Sequence, residues 1–477
     1  MGESAVVDKD PASGKASMEA GGSDDATKAG DGVEHMDKEE LVQKGLIAEV
    51  TYKDIFKRFV LLGWTAFGGP AAHIAIFQKL FVENLKWMSL GVFTELLALG
   101  QCLPGPTSTQ MSFAIGVVSK GIPGGLLSGI LFQYPGLIIM TVVGAGAAEF
   151  LASPDAWLRA MAQGFGATGV ALVAGAAVSL AMKLCPTIDL RALCAISAVL
   201  AFYMPEPWMF PSLIAFGGLV TLYVNRKKDM RRADAEGDVT SLGLGMWSGG
   251  ALILVWLAVL VSVIVARSQT DYDDDHIKPL HWFEAFYRIG SLIFGGGQVV
   301  LPMLIDEVVQ DDCPLQPDGT NDCPDSWVST EQFLAGLGLA QAMPGPLFNL
   351  SAYLGAVMAI RAGMPFIAGV AVCWIGLFGP GLMLIYGVLP FWGKFRSQPV
   401  YRRALPGLNA SAVGLVVAAV FSLFLKIYLN DLMDWKKASV CIMIISFASV
   451  EYLKVPAPLM VLGGGVLGLI AHYGGLE

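Results

Sequence analysis

The sequence predicts an all-α polytopic membrane protein: two homologous halves of inverted topology, joined by a connecting transmembrane helix and interrupted by broken or re-entrant helices. Three observations carry that expectation. Hydrophobic residues fill 55% of the 477 positions and charged residues only 15%, a balance foreign to a water-soluble chain of this length. Apolar runs long enough to cross about 30 Å of hydrocarbon recur along the chain. The second set of runs repeats the first.

Residues 1–50 hold 12 acidic and five basic side chains, seven of the nine net negative charges. Rich in Gly, Ala, Ser, Asp and Lys, the first 35 or so positions cannot bury enough surface to fold and read as a disordered tail, ending in an amphipathic segment over 36–50. No charged and then apolar leader opens the chain, so the first membrane segment is expected to direct insertion. With no extended cationic stretch, nucleic acid is excluded as a partner.

Apolar segments follow near 55–81, 91–119, 121–150, 156–183, 189–203, 207–225 and 244–267, then near 281–308, 331–361, 363–391, 404–428, 437–451 and 455–474, thirteen in all. FKRFVLLGWTAFGGP from Phe56 aligns with FEAFYRIGSLIFGGG from Phe283 at an offset of 227, and QCLPGPTSTQ from Gln101 with QAMPGPLFNL from Gln341 at 240. Pro135-Gly136 matches Pro380-Gly381, and Gly164 matches Gly407. The chain therefore divides into the tail 1–50, a first repeat 51–225, a connector region 226–280 and a second repeat 281–477.

Lysine and arginine concentrate on cytoplasmic loops. Arg226, Lys227, Lys228, Arg231 and Arg232 precede the connector and TDYDDD at 270–275 follows it, so the second half is flipped relative to the first. Lys394, Arg396, Arg402 and Arg403 then also fall inside. If the segments carrying Phe-Gly-Gly spanned fully, Lys86 would face outside and the acidic loop holding Cys313 and Cys323 would face the cytoplasm. Hairpins with the breaks at their tips reverse both placements, and are preferred. The membrane is read as the plasma membrane, with a cytoplasmic N-terminus. In an oxidising compartment Cys313 and Cys323 could pair as a disulfide; with no further Cys or His nearby, a metal site is not expected.

The breaks carry the functional expectation. Gly is permissive and Pro lacks an N–H, so both interrupt helices, and irregular backbone at membrane depth is tolerated only inside protein or beside a wet cavity. Phe67-Gly68-Gly69-Pro70 and Pro104-Gly105-Pro106 break the first half. Gly295-Gly296-Gly297 and Pro344-Gly345-Pro346 break the second. Pro70 and Pro106 suit a first helical position, and each new helix start aims free N–H groups and partial positive charge at its break, an arrangement that binds anions. Thr107, Ser108, Thr109 and Gln110 add donors. In the repeat, Leu347 and Phe348 replace Thr107 and Ser108, while Asn349 and Ser351 offer donors further on, so the half-sites are chemically unequal. Gln101, Gln298, Gln341 and Asn409 complete the candidate substrate set, although any one such amide could be an interhelical hydrogen bond. His73 and Glu95 are candidates for proton coupling; packing explains His73 equally well. Lys57, Arg58, Glu149, Arg159 and Arg288 lie near segment ends, where snorkelling accounts for them.

At FGGP, PGPTSTQ and their repeats the sequence resembles the chromate ion transporter family in its long, two-domain form, over residues 50–477. The resemblance implies a carrier of chromate and its isostere sulfate and, in bacterial members, proton-driven efflux. The matching positions are Phe67, Gly68, Gly69, Pro70, Pro104, Gly105 and Pro106, and Phe294, Gly295, Gly296, Pro344, Gly345 and Pro346. The acidic tail and the Cys loop depart from the family pattern. A secondary transporter of a divalent oxyanion, working by alternating access between inverted repeats, leads over an anion channel with the same site. An integral-membrane transferase is disfavoured because no acidic pair, His cluster or P-loop lies in any loop. The expected partners are a small inorganic oxyanion, membrane lipid and, as a candidate assembly, a second copy of the chain. No cofactor is expected.

Overall fold

Breaks in the sequence become reversals of the chain. The computed structural model describes residues 49–67, 69–151, 155–204, 208–226, 244–272, 276–293, 300–309, 327–391, 399–429 and 435–475, and every regular element in them is helical. Helix α1 (Tyr52–Thr65) opens on a capping box in which the Thr51 hydroxyl accepts from the Asp54 amide and the Asp54 carboxylate accepts from the Thr51 amide. It stops at Ala66, and α2 (Gly69–Phe77) starts afresh, widening into a π-helical stretch over Gln78–Asn84. Phe59 and Phe81, which an unbroken helix would hold about 33 Å apart, stack with centroids 5.0 Å apart. The segment read as 55–81 therefore folds back on itself between Ala66 and Gly69.

The other breaks behave alike. Helices α3 (Leu90–Cys102) and α4 (Thr107–Phe150) flank the first Pro-Gly-Pro, and the Thr107 hydroxyl donates back to the Gly100 carbonyl at 3.2 Å. A second reversal at Lys120 and Gly121 divides α4 into antiparallel limbs, 107–119 and 122–150, tied where the Ser128 hydroxyl donates to the Ser112 carbonyl at 2.7 Å. After α5 (Ala156–Leu184), α6 (Ile188–Tyr203), α7 (Met209–Val224) and the connector α8 (Met246–Ser268), the pattern recurs. Helices α9 (Lys278–Leu292) and α10 (Val300–Val308) are joined side by side by Arg288 and Glu307 at 2.8 Å. Across the second Pro-Gly-Pro, α11 (Thr330–Ala342) and α12 (Leu350–Arg361) are joined where the Tyr353 hydroxyl donates to the Gln332 carbonyl at 2.7 Å. Helices α13 (Phe366–Val388), α14 (Pro399–Leu429), α15 (Lys436–Glu451) and α16 (Ala457–Tyr473) finish the chain.

Each half is completed by the other. Helix α5 packs against α15 and α16, while α14 packs against α6 and α7. The Thr168 and Ser446 hydroxyls lie 3.0 Å apart, and the Ser197 hydroxyl donates to that of Ser411 at 3.0 Å. Thr168 and Ser411 stand at the same offset as the repeat pair Gly164 and Gly407, so the two bonds are counterparts. Glycine lets these backbones approach: Gly164 lies against Gly464, and Gly407 against Gly217.

Helices α4, α5, α8, α13 and α14 each hold a stretch long and apolar enough to cross a membrane. Leu254, Val255, Leu257, Val261, Ile264 and Val265 of α8 stand exposed, as a lipid-facing helix requires. The protein is an all-α, multi-pass integral membrane protein.

Candidate functional site

Each Pro-Gly-Pro break reaches across to the other half. The Gly105 amide donates to the Ile293 carbonyl at 2.8 Å, and the Gly345 amide donates to the Ala66 carbonyl at 2.9 Å. Ala66 and Ile293 are repeat partners, as are Gly105 and Gly345, so each Pro-Gly-Pro docks on the residue preceding the other half's Phe-Gly-Gly. Gly105 has φ +120°, and a Cβ there would fall 2.8 Å from the Gly381 Cα; no other residue fits. Gln110 locks this tip, its side-chain amide donating to the Pro104 carbonyl at 2.8 Å and the Gly381 carbonyl at 3.3 Å. On the opposite side the Asn349 amide donates to the Gln133 carbonyl at 3.3 Å.

Pro106 is the N-cap of α4 rather than its first residue, contrary to expectation, because its extended ψ of 104° places the helix start at Thr107. Pro70 is likewise the second residue of α2, after Gly69. The first intrahelical bond of α4 runs from the Gln110 amide to the Pro106 carbonyl at 2.9 Å, which leaves the amides of Thr107, Ser108 and Thr109 ahead of it. Ser108 and Thr109 are 1% and 2% exposed, yet neither hydroxyl has a protein partner. Unsatisfied buried hydroxyls cost roughly 1–3 kcal/mol each, a cost that a water or a ligand at this helix start would relieve.

The second half-site is closed upon itself. Asn349 accepts from the Trp374 indole at 3.1 Å while donating to Gln133, and Phe348 packs on Phe378 with centroids 5.6 Å apart. Pro344 and Pro346 are buried. His73 is fully buried, its Nε2 lies 3.1 Å from the Ala66 carbonyl and its ring meets Phe132 edge-on, which puts it beside one of the cross-half bonds. Phe67 remains 38% exposed. Gln341 is half-buried at the end of α11, and Asn409 is buried on α14 without a hydrogen bond to either break among the described residues. Glu95 and Gln101 belong to α3, their side chains outside the described set; Gly68, Phe294, Gly295, Gly296, Gly297, Gln298, Cys313 and Cys323 lie outside the described residues. No group of three or more potential metal ligands occurs among the described residues.

Two features escaped sequence reasoning. Gln133 is 1% exposed with neither side-chain amide atom partnered; its alignment against Phe378 was the available signal. Arg288, read as a snorkelling side chain, instead belongs to an ionic network. It pairs with Glu284 at 2.6 Å and Glu307 at 2.8 Å, while Arg267 of the connector pairs with both carboxylates, 2.6 Å from Glu307. Helix pairing, invisible to the positional rule, brings these four together.

The chromate transporter family model matches residues 53–222 and 280–469, the two halves in turn. The chain is 26% identical over 420 residues to a probable chromate transport protein of Synechococcus elongatus, covering 88% of this chain and 95% of the relative. It is 24% identical over 426 residues to a chromate transport protein of Cupriavidus metallidurans, at 88% and 94% coverage. A chromate transport protein of Pseudomonas aeruginosa is 26% identical over 381 residues, at 78% and 81% coverage. No solved structure matches. With both halves matched and the paired breaks joined as a unit, the chain belongs to the chromate transporter family.

Proposed function

We propose that the protein is a secondary active transporter of a divalent oxyanion, chromate and its isostere sulfate, working by alternating access between inverted halves in the plasma membrane. The observation that carries the reading is the unpartnered pair of buried hydroxyls, Ser108 and Thr109, at a helix start where opposed breaks meet. Helix N-termini and neutral donors hold anions without a fixed cation. In this reading the hairpins α1/α2 and α3/α4 enter from the cytoplasm, where the N-terminus lies, and α9/α10 and α11/α12 enter from outside. Positions 332–338 of α11 are buried on every face, and α11 packs against α5; α3 has no comparable packing against α14 among the described residues, and its Thr94 is exposed. That inequality supports a state closed around the second pair of hairpins and looser around the first. His73, whose Nδ1 has no partner, is the candidate proton carrier at the contact.

The test is uptake of radiolabelled chromate and sulfate into proteoliposomes under imposed pH gradients. Saturable flux of either ion is expected. No flux of either under any gradient would reject the reading.

A further inference from the structure

We propose that the oxyanion is held in the first half alone, in a polar chamber bounded by Ser108, Thr109 and Gln133, with Gln133 the substrate-contacting residue that the break motifs do not reveal. The proposal rests on the oxyanion reading above and assigns its site.

The register of the two α4 limbs places these residues together. Gly129 lies against the Phe113 ring, and the Ser128 hydroxyl donates to the Ser112 carbonyl at 2.7 Å. One helical turn nearer the break on each limb, Ser108 and Thr109 come level with Phe132 and Gln133. The second half shows what this register does with large residues: Phe348 and Phe378, the repeat counterparts of Ser108 and Gln133, pack on each other with centroids 5.6 Å apart. Where two rings fill the second half, the first holds a hydroxymethyl group and an amide. Asn349, counterpart of Thr109, is satisfied by Trp374 and by Gln133's own carbonyl, whereas the Thr109 hydroxyl is not satisfied by protein.

The unpartnered atoms are therefore gathered on one side of the pseudo-symmetric pair. The Ser108 and Thr109 hydroxyls and both polar atoms of the Gln133 amide lack protein partners, at 1%, 2% and 1% exposure. Burial without a partner costs an amide or hydroxyl about 1–3 kcal/mol, so a ligand that accepts from all three residues recovers several such terms together. The two hydroxyls, the Gln133 Nε2 and the free amides of the α4 start can all donate, and none carries charge; the Gln133 Oε1 accepts only, and faces away from the anion or takes a water. A tetrahedral dianion, rich in acceptor oxygens, is the class of ligand that this set suits.

The experiment compares Gln133→Leu with its mirror, Phe378→Leu, in the full-length protein. Radiolabelled chromate uptake gives KM and kcat, and the sulfate-induced rise in unfolding temperature reports binding directly. Gln133→Leu is expected to raise KM at least ten-fold and remove the sulfate shift, with Phe378→Leu staying within two-fold of wild type. Wild-type KM and an intact shift in Gln133→Leu would overturn the assignment, as water filling alone predicts. An equal rise in KM for Phe378→Leu would overturn the single-site claim. Gln133→Glu, of the same shape but charged, guards against misfolding by Leu: it is expected to lose uptake by repulsion, and retained uptake would also overturn the assignment. Absence of flux in the wild-type protein is the separate result that rejects the oxyanion reading itself.

Discussion

The Gly345 amide donates to the Ala66 carbonyl at 2.9 Å, joining the tip of a second-half hairpin to the end of the first helix of the chain. His73 reaches the same carbonyl at 3.1 Å, so this acceptor gathers contacts from both halves. Gly345 has φ +87°, a conformation that costs a residue with a Cβ about 1–2 kcal/mol. Gly345→Ala is expected to lower stability by about that amount and to slow uptake. Gly345→Leu should abolish uptake while still inserting. Gly146→Ala, where a Cβ meets nothing closer than 3.8 Å, is the neutral control. Full uptake in Gly345→Leu would make the break a mere packing device.

The exchange of helices between halves predicts two matched cross-links. In a background stripped of native cysteines, Thr168→Cys with Ser446→Cys and Ser197→Cys with Ser411→Cys should each form a disulfide on mild oxidation, since the hydroxyl oxygens that the sulfurs replace lie 3.0 Å apart, within about 1 Å of the S–S separation. Mass spectrometry of the linked peptides reads the result. Failure of either pair would contradict the pairing of α5 with α15 or of α14 with α6.

The ionic network anchors α9 and α10 to the connector, and nothing equivalent can form in the first half, where Lys57, Leu61 and Leu80 occupy the positions of Glu284, Arg288 and Glu307. Glu284 is 2% exposed. Removing one partner from a buried pair typically costs about 3–5 kcal/mol, because the other charge is stranded. Glu284→Gln should therefore lower the unfolding temperature in detergent more than Glu284→Gln combined with Arg288→Gln. A double variant less stable than the single would show that the charges are not coupled.

Opposite entry of the hairpins predicts opposite labelling. Glu83 and Arg361 are both exposed at hairpin bases. With membrane-impermeant maleimides on intact cells, Arg361→Cys should react from outside, and Glu83→Cys only after the cytoplasmic face is opened. Labelling of both from the same side would refute the inverted arrangement.

Much of this organisation was legible in the chain itself. The breaks, the two offsets and the thirteen apolar segments follow from local chemistry: glycine and proline interrupt helices wherever they stand in series, and a duplicated sequence repeats its interruptions. The reversal at Lys120 and Gly121 falls on the boundary already read between 91–119 and 121–150, although the φ of +67° that Gly121 adopts there emerges only when the limbs fold back. Gln133 and the ionic network were missed because a buried amide and a snorkelling arginine look alike in sequence whether or not partners face them.

By itself, then, the sequence determined a membrane-embedded repeat with four helix breaks, because hydrophobicity and backbone permissiveness are properties of residues and their near neighbours. Only the tertiary structure decided that Gly105 meets Ile293 and Gly345 meets Ala66, that α5 and α14 complete the opposite halves, and that Ser108 is left unpartnered while Phe348 is packed. Those outcomes depend on which surfaces fit across more than two hundred residues of chain, and hydrogen-bond satisfaction is settled only when both partners have a place.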